Sequence, residues 1–465
     1  MRVEADSSLR REDAGRLVIG GSPLRIMRLS ADGAARLGRW MDGEPVEESP
    51  ADRQMLRRLL DAGLVHPVAW PESTEREITV VVPVLDDVDG LERVLEALGR
   101  DRRIVVVDDG SVDGASHERA AGRAGAVYIR NDTTGGPGAA RNRGLESVET
   151  ELVAFVDADV VVDAATLGFV VEHFEDPEIA AVAPRVRSGR DDAGVLARYE
   201  GVRSPLDLGS EPSLVGPGRR VPYVPAACLV VRADAVRSVD GFDPSLPWGE
   251  DVDLVWRLTE SGRSVRYAPE VEAVHRPRPD LATWIEQRRC YGRSAAPLAV
   301  RHGRAVAPAR CSAWSLVAWG AAVAGHPMIG VGVATGSTAA LASKLDHLPG
   351  GRELAVRLGS VGHVHAALGL TRTAGRAWWP ITLAVAIARP RLGKRLLAAL
   401  VALPLLEWIY GERPTDPVTT AGLRIADDVA YGLGVWEGMW AERSLAAIRP
   451  DLVGWPDRRD VAGDQ

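Results

Sequence analysis

Phe155-Val-Asp-Ala-Asp-Val160 is the stretch whose reading decides the fold, because a buried-type apolar run, Leu152 to Val156, breaks into two carboxylates one residue apart. Alternation along a strand points side chains i and i+2 to the same side. Asp157 and Asp159 can then converge on one hard cation. A divalent metal held by one or two carboxylates and by phosphate oxygens is how enzymes hold a nucleotide pyrophosphate. Asp-x-Asp in a strand-end turn is also ordinary turn chemistry, so the pair gains meaning only from what surrounds it.

The same arrangement appears upstream. Ile104-Val-Val-Val-Asp-Asp-Gly-Ser111 runs into Asp108, Asp109 and Gly110, and Glu77-Ile-Thr-Val-Val-Val-Pro-Val84 is another buried-type strand ending near Pro83. Helical patterns such as Leu91, Val94, Leu95 and Leu98 alternate with these runs, the rhythm of a parallel, doubly wound α/β sheet. Ligands of such sheets bind beyond the carboxyl ends of the strands, where these acidic pairs lie. Asp108 or Asp109 can accept the imino hydrogen of a uracil ring or can cap the helix that follows. Glycines 135, 136 and 138 open a path for backbone amides to a bound nucleotide, and Arg141 and Asn142 fall in the first turn of the next helix. Farther on, Trp248-Gly-Glu-Asp-Val-Asp-Leu-Val-Trp-Arg-Leu258 starts a helix whose apolar face is Leu254, Val255 and Leu258. Glu250 and Asp251 therefore lie at its N-terminus.

Composition sets the outer limits. The 465 residues suffice for about three domains, and the net charge of −8 disfavours nucleic acid as a partner. Cys228, Cys290 and Cys311 lack metal-ligand spacing and fit free thiols in a reducing compartment. No apolar core of signal-peptide length opens the chain. Residues 1–70 carry 11 Arg against 11 Asp and Glu, a net of zero, which disfavours DNA binding. A hairpin turning at Gly20-Gly21, a helix from Ser30 toward Trp40 and a helix over Gln54–Leu60 stopping at Gly63 predict a small winged-helix-like α+β domain. The proline-punctuated linker Pro67–Glu75 closes it.

Three resemblances add to this reading. The hairpin, Leu29-Ser30, the Asp42-Gly43 turn and Leu59-Leu-Asp-Ala-Gly-Leu-Val65 resemble the peptide-recognition modules of ribosomal peptide maturation, the group of the pyrroloquinoline quinone carrier protein. The resemblance implies that an edge strand near Arg25–Leu29 adds a peptide to its sheet. Residues 77–300 resemble family 2 glycosyltransferases of the GT-A fold, through Pro83, Asp108-Asp109-Gly110-Ser111, the Gly135–Gly144 loop, Asp157-Ala158-Asp159 and Gly249-Glu250-Asp251 in that order. That resemblance implies a mixed sheet with helices on both faces. It places the nucleotide against Pro83, Asp108, Asp109, Gly136, Arg141, Asn142 and Asp157. It also implies Mn or Mg on Asp157, Asp159 and His275, and Asp251 as general base with Glu250 beside it. Arg141 and Asn142 are implied to touch the nucleotide or the acidic strand end. Gln287-Arg-Arg-Cys-Tyr291 departs from the Gln-x-x-Arg-Trp of the processive members, which argues against long-chain synthesis.

The order of the whole chain resembles the glycosyltransferases of mycofactocin biosynthesis. That resemblance implies β-linked glucose transfer from UDP-glucose onto mycofactocin or its precursor peptide. The rivals are a membrane transferase acting on a lipid or cell-wall glycan and a non-catalytic peptide-binding scaffold. Residues 301–465 predict a helical tail. Ser312–Ser343 holds no Asp, Glu, Lys or Arg and is long enough to cross a bilayer or to form a buried hairpin. Arg389, Arg391, Lys394 and Arg395 precede the apolar Leu396–Leu406, as in a helix resting on anionic lipid. The expectation is a peripheral or multi-pass protein of the cytoplasmic membrane face, or a cytoplasmic one if the tail is a buried core.

Overall fold

The computed structural model describes residues 1–68, 76–189, 194–277 and 280–453, so most of the expected linker, 69–75, lies outside the described residues. The chain divides into two compact units, residues 1–277 and 278–465.

The first unit begins with β1 (Arg2–Ala5), β2 (Arg10–Glu12), β3 (Leu17–Gly20), β4 (Arg25–Arg28), α1 (Ala31–Met41), α2 (Pro50–Asp61) and β5 (Val65–Val68). The expected hairpin is β3–β4, in a three-stranded sheet ordered β2-β3-β4, while β1 pairs with β5. Ser30 and Ser49 cap the two helices by accepting from Gly33 and Asp52 amides. Val18, Leu37, Trp40, Leu59 and Leu64 form the core of this head. The strands β1, β2 and β5 escape a reading by periodicity because they are only three or four residues long.

The sheet that positions the site follows. Its elements are β6 (Ile78–Val84), α3 (Val88–Leu98), β7 (Arg103–Asp108), α4 (Gly114–Ala124), β8 (Val127–Arg130), α5 (Pro137–Leu145), β9 (Leu152–Val156), β10 (Val160–Val161) and α6 (Ala164–Glu172). They continue with β11 (Ile179–Ser188), α7 (Val195–Arg203), β12 (Ser213–Leu214), β13 (Cys228–Arg232), α8 (Ala233–Ser238), α9 (Glu250–Glu260) and β14 (Ser264–His275). The order is β10-β14-β11-β13-β9-β6-β7-β8, with β12 on β14. Strands β9, β6, β7 and β8 are parallel, and β13 runs antiparallel to both β9 and β11. This mixed sheet with flanking helices is the GT-A arrangement. β6 lies between β7 and β9, so the order reverses there, which opens a crevice beyond the strand ends at Val84, Asp108 and Val156.

One correction concerns the deciding motif. β9 ends at Val156, and Asp157-Ala158-Asp159 forms a turn closed by the Val160 amide donating to the Asp157 carbonyl at 3.0 Å. Alternation along a strand therefore does not govern the two carboxylates.

The second unit contains α10 (Leu281–Arg293), α11 (Ala295–His302), β15 (Arg310–Ser312), α12 (Ala313–Ala324), α13 (Pro327–Leu345), α14 (Gly351–Gly375), α15 (Trp379–Ala388), α16 (Pro390–Tyr410), α17 (Pro417–Glu442) and β16 (Asp451–Val453). Helix α10, expected with the transferase, packs here against α17. A Cβ at Gly434 would stand 1.9 Å from the Arg289 carbonyl, so only glycine lets the two helices approach this closely. Arg289 and Arg293 both pair with Glu437. The crossing considered for 312–343 is not built: Gly325, at φ 103°, ends α12 after 12 residues and Pro327 starts α13. Twelve residues rise about 18 Å, short of the ~30 Å hydrocarbon core. Among the described residues no helix is long and apolar enough to cross a membrane.

Candidate active site

Arg141 organises the crevice. It projects from α5, is 3% exposed, and donates to Glu250 Oε1 at 2.7 Å and to Asp157 Oδ1 at 2.6 Å. Its guanidinium lies 5.4 Å from the Phe242 ring centroid, and Phe242 meets Phe155 edge to face. Two acidic motifs more than 90 residues apart in sequence, at Asp157 and Glu250, thus share one cation. Its two carboxylates hold the guanidinium firmly charged in spite of its burial. Burial and the neighbouring Asp251 push the Glu250 carboxyl up to about 7, against the opposing pull of Arg141. Burial, with Asp159 and Asp251 nearby, likewise raises Asp157. The Cys228 thiol, buried beside Asp157, is pushed up to about 12 and is inert as a nucleophile.

Helix α9 starts at Gly249, held at φ 78°, and delivers Glu250 and Asp251 to the crevice. Asp251 Oδ2 accepts from the Ala226 amide at 3.2 Å, and Oδ1 accepts from Val252. Its side chain is partly exposed, whereas Glu250 is buried. Asp253 faces elsewhere: it is 1% exposed and bonds Arg257 at 2.7 Å, which donates in turn to the Val239 and Gly241 carbonyls. That pair braces the turn before Phe242.

The remaining expected residues take several places. The two aspartates after β7 are turned inward and employed locally. Asp108 is fully buried, accepting from Ser111 N at 2.7 Å and from Tyr128 Oη and Arg130 Nη1 at 2.5 Å each. Despite burial, these bonds hold its carboxyl below the usual range. Asp109, 4% exposed, accepts from Asn131, Gly135 N and Gly136 N, so it shapes the glycine loop from within. Both carboxylates thus accept from internal donors, and reading of uracil by either stays an expectation. Gly136, at φ 88°, is the N-cap of α5 and provides no side-chain cap. Pro83 is partly exposed near the end of β6. Asn142 does not join the acidic strand end; it clamps the Phe242 backbone, donating to its carbonyl at 2.7 Å and accepting from its amide at 2.9 Å.

The expected three-residue metal set is also not assembled. Asp157 turns to Arg141, while Asp159 Oδ2 lies 3.4 Å from His275 Nε2. Among the described residues no group of three or more His, Cys, Asp or Glu is placed to hold a metal ion. The Asp159–His275 pair, with His275 buried and its Nδ1 unpartnered, fits a cation held largely by phosphate oxygens better than an all-protein cage. Sequence reading missed Ala226, Phe242 and Arg257. A backbone amide leaves no mark in sequence, and a single Phe among turn residues is no signal of a ring packed on a buried arginine.

Residues 79–237 match the family model "Glycosyl transferase family 2". Over 463 residues the chain is 37% identical to the pre-mycofactocin glycosyltransferase of Mycobacterium tuberculosis, with 97% of each chain covered. It is 26% identical over 219 residues to the glycosyltransferase AglE of Haloferax volcanii, spanning 44% of this chain and 69% of that one. Among solved structures, the mannosyltransferase PcManGT from Pyrobaculum calidifontis, in complex with GDP-Man and Mn2+, aligns at TM-score 0.40 and 19% identity over 72% of this chain and 89% of that one. The catalytic sheet, the acidic crevice and the near-complete alignment with one relative converge: this chain belongs to the pre-mycofactocin glycosyltransferase family, within the family 2 glycosyltransferases.

Proposed function

We propose that the protein is an inverting hexosyltransferase that moves glucose from UDP-glucose onto mycofactocin or its precursor peptide, building a short β-linked oligoglucoside. The observation that carries the reading is the partly exposed Asp251 beside the Arg141–Asp157–Glu250 cluster at the carboxyl end of the sheet. Asp251 takes the proton from an acceptor hydroxyl as that oxygen attacks the anomeric carbon from the face opposite the leaving diphosphate. The bond to the diphosphate breaks as the new glycosidic bond forms, which inverts the centre. Glu250, its carboxyl near neutrality, sits beside this base as an acceptor contact and keeps Arg141 in place. Asp159 and His275 would hold Mn or Mg with the diphosphate. Such a cation supplies charge balance to the departing group.

The head is the proposed peptide-recognition part. The outer edge of β4 has no partner strand among the described residues. Beside it runs a groove with Met27, Leu29, Met55 and Leu59 at its base and Arg28 and Arg58 on its rim. An extended precursor peptide would add to this edge. The helical unit supports peripheral association with an anionic membrane face: Trp314, Met328, Ile387 and Tyr410 are exposed, as are Arg389, Arg391 and Lys394. Sedimentation with vesicles containing anionic lipid tests that part.

The central experiment is mass spectrometry of precursor peptide and mature cofactor from cells with the wild-type gene, the Asp251→Asn gene or none. Hexose-spaced ladders present only with the wild type are expected. Ladders unchanged without the gene, or appearing on a lipid instead, would overturn the acceptor assignment.

A further inference from the structure

We infer that Arg220 is a positioning residue for the transfer reaction: it anchors on the N-terminal head a nine-residue strap, 219–227, that bonds the Asp251 carboxylate and the Asp157 backbone. This rests on the reading of Asp251 as the base.

The head end of the strap is an ion pair between the exposed Arg220 and the buried carboxylate of Asp6. Arg220 donates through Nη2 to Asp6 Oδ1 at 2.9 Å and through Nη1 to Asp6 Oδ2 at 3.0 Å. Asp6 follows β1, its side chain is 3% exposed, and it also bonds His66 Nε2 on β5 at 2.9 Å. Arg219 adds two contacts, from Nη1 to the Ser22 carbonyl at 2.8 Å and to the Asp61 carbonyl at 3.3 Å. The Arg220 amide donates to Ser22 Oγ. A bidentate Arg–carboxylate pair is geometrically exacting.

Two residues later the strap meets the catalytic machinery. The Pro222 carbonyl accepts from Trp256 Nε1 on α9 at 2.7 Å. The Ala226 amide donates to Asp251 Oδ2 at 3.2 Å, and the Ala227 carbonyl accepts from the Asp157 amide at 3.0 Å. Both acidic motifs thus take a backbone bond from adjacent residues of one segment. Val221, Val224, Ala226 and Ala227 are buried, so the segment has little room to shift unless an end is released. The head's nearest anchor, at Arg220, is six residues from Ala226. An extended stretch of that length reaches about 20 Å, and without the Arg220 pair its path is set by side-chain packing, the Pro222–Trp256 bond and the Arg219 contacts.

The head is therefore part of the catalytic scaffold as well as a recognition module. Loss of the anchor leaves donor groups in place, because the strap touches the base and the Asp157 turn through backbone atoms. It blurs the position of Asp251, and a displaced catalytic group slows turnover by roughly tenfold to 10².

The test uses the full-length protein with UDP-glucose and a small acceptor, with rates normalised to donor-binding sites counted by calorimetry. Arg220→Met is expected to lower kcat by about tenfold or more with donor KM unchanged. Arg220→Lys should recover part of that loss. Asp6→Asn should match Arg220→Met, and the double variant should be no slower than either single one. Hydrogen exchange should speed up across 222–228 and stay unchanged across 78–108. Should Arg220→Met fail to fold, Arg219→Met gives the same reading at smaller amplitude. A kcat within twofold of wild type, or losses that multiply in the double variant, would overturn the inference. Asp251→Asn separates the two layers: if it is inactive while Arg220→Met is unaffected, this inference alone fails, and if it turns over normally the base assignment fails and takes this inference with it.

Discussion

Replacing Arg141 with Met removes the charge from the crevice while keeping much of its volume, and the cost should depend on pH in a definite direction. In the native protein the folded Glu250 carboxyl sits near 7, against an ordinary value of 4.5. The folded state therefore binds that proton more tightly than the unfolded chain does. By linkage, the associated stability is fully present below about 4.5 and is lost as pH rises from there to about 7. Arg141 opposes this shift, so its loss moves the upper edge of the window higher and draws Asp157 in. At pH 8 the buried Glu250 and the partly exposed Asp157 would both lack their cation, and breaking a buried pair costs about 3–5 kcal/mol. At pH 5.5 Glu250 is largely protonated in either protein, and the cost should fall below about 2 kcal/mol. Because the chain has two compact units, local hydrogen exchange of β9 and α9 peptides is a better assay than a single global transition. Protection of those peptides should drop roughly 10²- to 10³-fold at pH 8, at 1.4 kcal/mol per tenfold. An equal loss at both pH values, or less than tenfold at pH 8, would refute the assignment of Arg141 as the charge that holds the two motifs together.

Asp251→Asn should keep donor affinity by calorimetry while transfer falls by about 10² or more, the scale of lost general-base catalysis. Asp253→Asn should behave in the opposite way, since Asp253 is buried on Arg257 and away from the crevice: about 3 kcal/mol less stable by urea unfolding, with near-normal kcat in the folded fraction. Gly241→Ala should destabilise the same turn, because φ is +68° and the new Cβ would lie 2.5 Å from Asn142 Oδ1; pairing it with Asn142→Ala should recover part of the loss. Asp159→Ala should abolish any Mn dependence of UDP binding measured by calorimetry, while Mn-dependent binding at wild-type strength would remove Asp159 from the cation site. Arg28→Glu with Arg58→Glu should weaken precursor-peptide binding and leave turnover on a small acceptor intact; unaltered peptide affinity would locate the recognition surface elsewhere.

The alternation of apolar runs with helical patterns, and the order of Asp108-Asp109, the glycine loop, Asp157-Ala158-Asp159 and Glu250-Asp251, by themselves determined a nucleotide-sugar transferase sheet and the residues worth watching. Such signals are local: strand hydrophobicity, turn residues and helix caps are written within about ten residues of chain. What the carboxylates do was decided by tertiary structure. Asp157 and Asp159 are separated by a turn and not joined by a strand, because β9 stops at Val156 where the Ala227 carbonyl engages the Asp157 amide. Asp108 and Asp109 are consumed by Tyr128, Arg130 and the amides of the glycine loop. Asn142 is spent on Phe242, 100 residues away. The bond from Ala226 to Asp251 and the ion pair from Arg220 to Asp6 join segments 25 and 214 residues apart. A hydrogen bond to a backbone amide carries no residue signature, and a buried partner is chosen by which surfaces the fold brings together, which only the packed chain specifies.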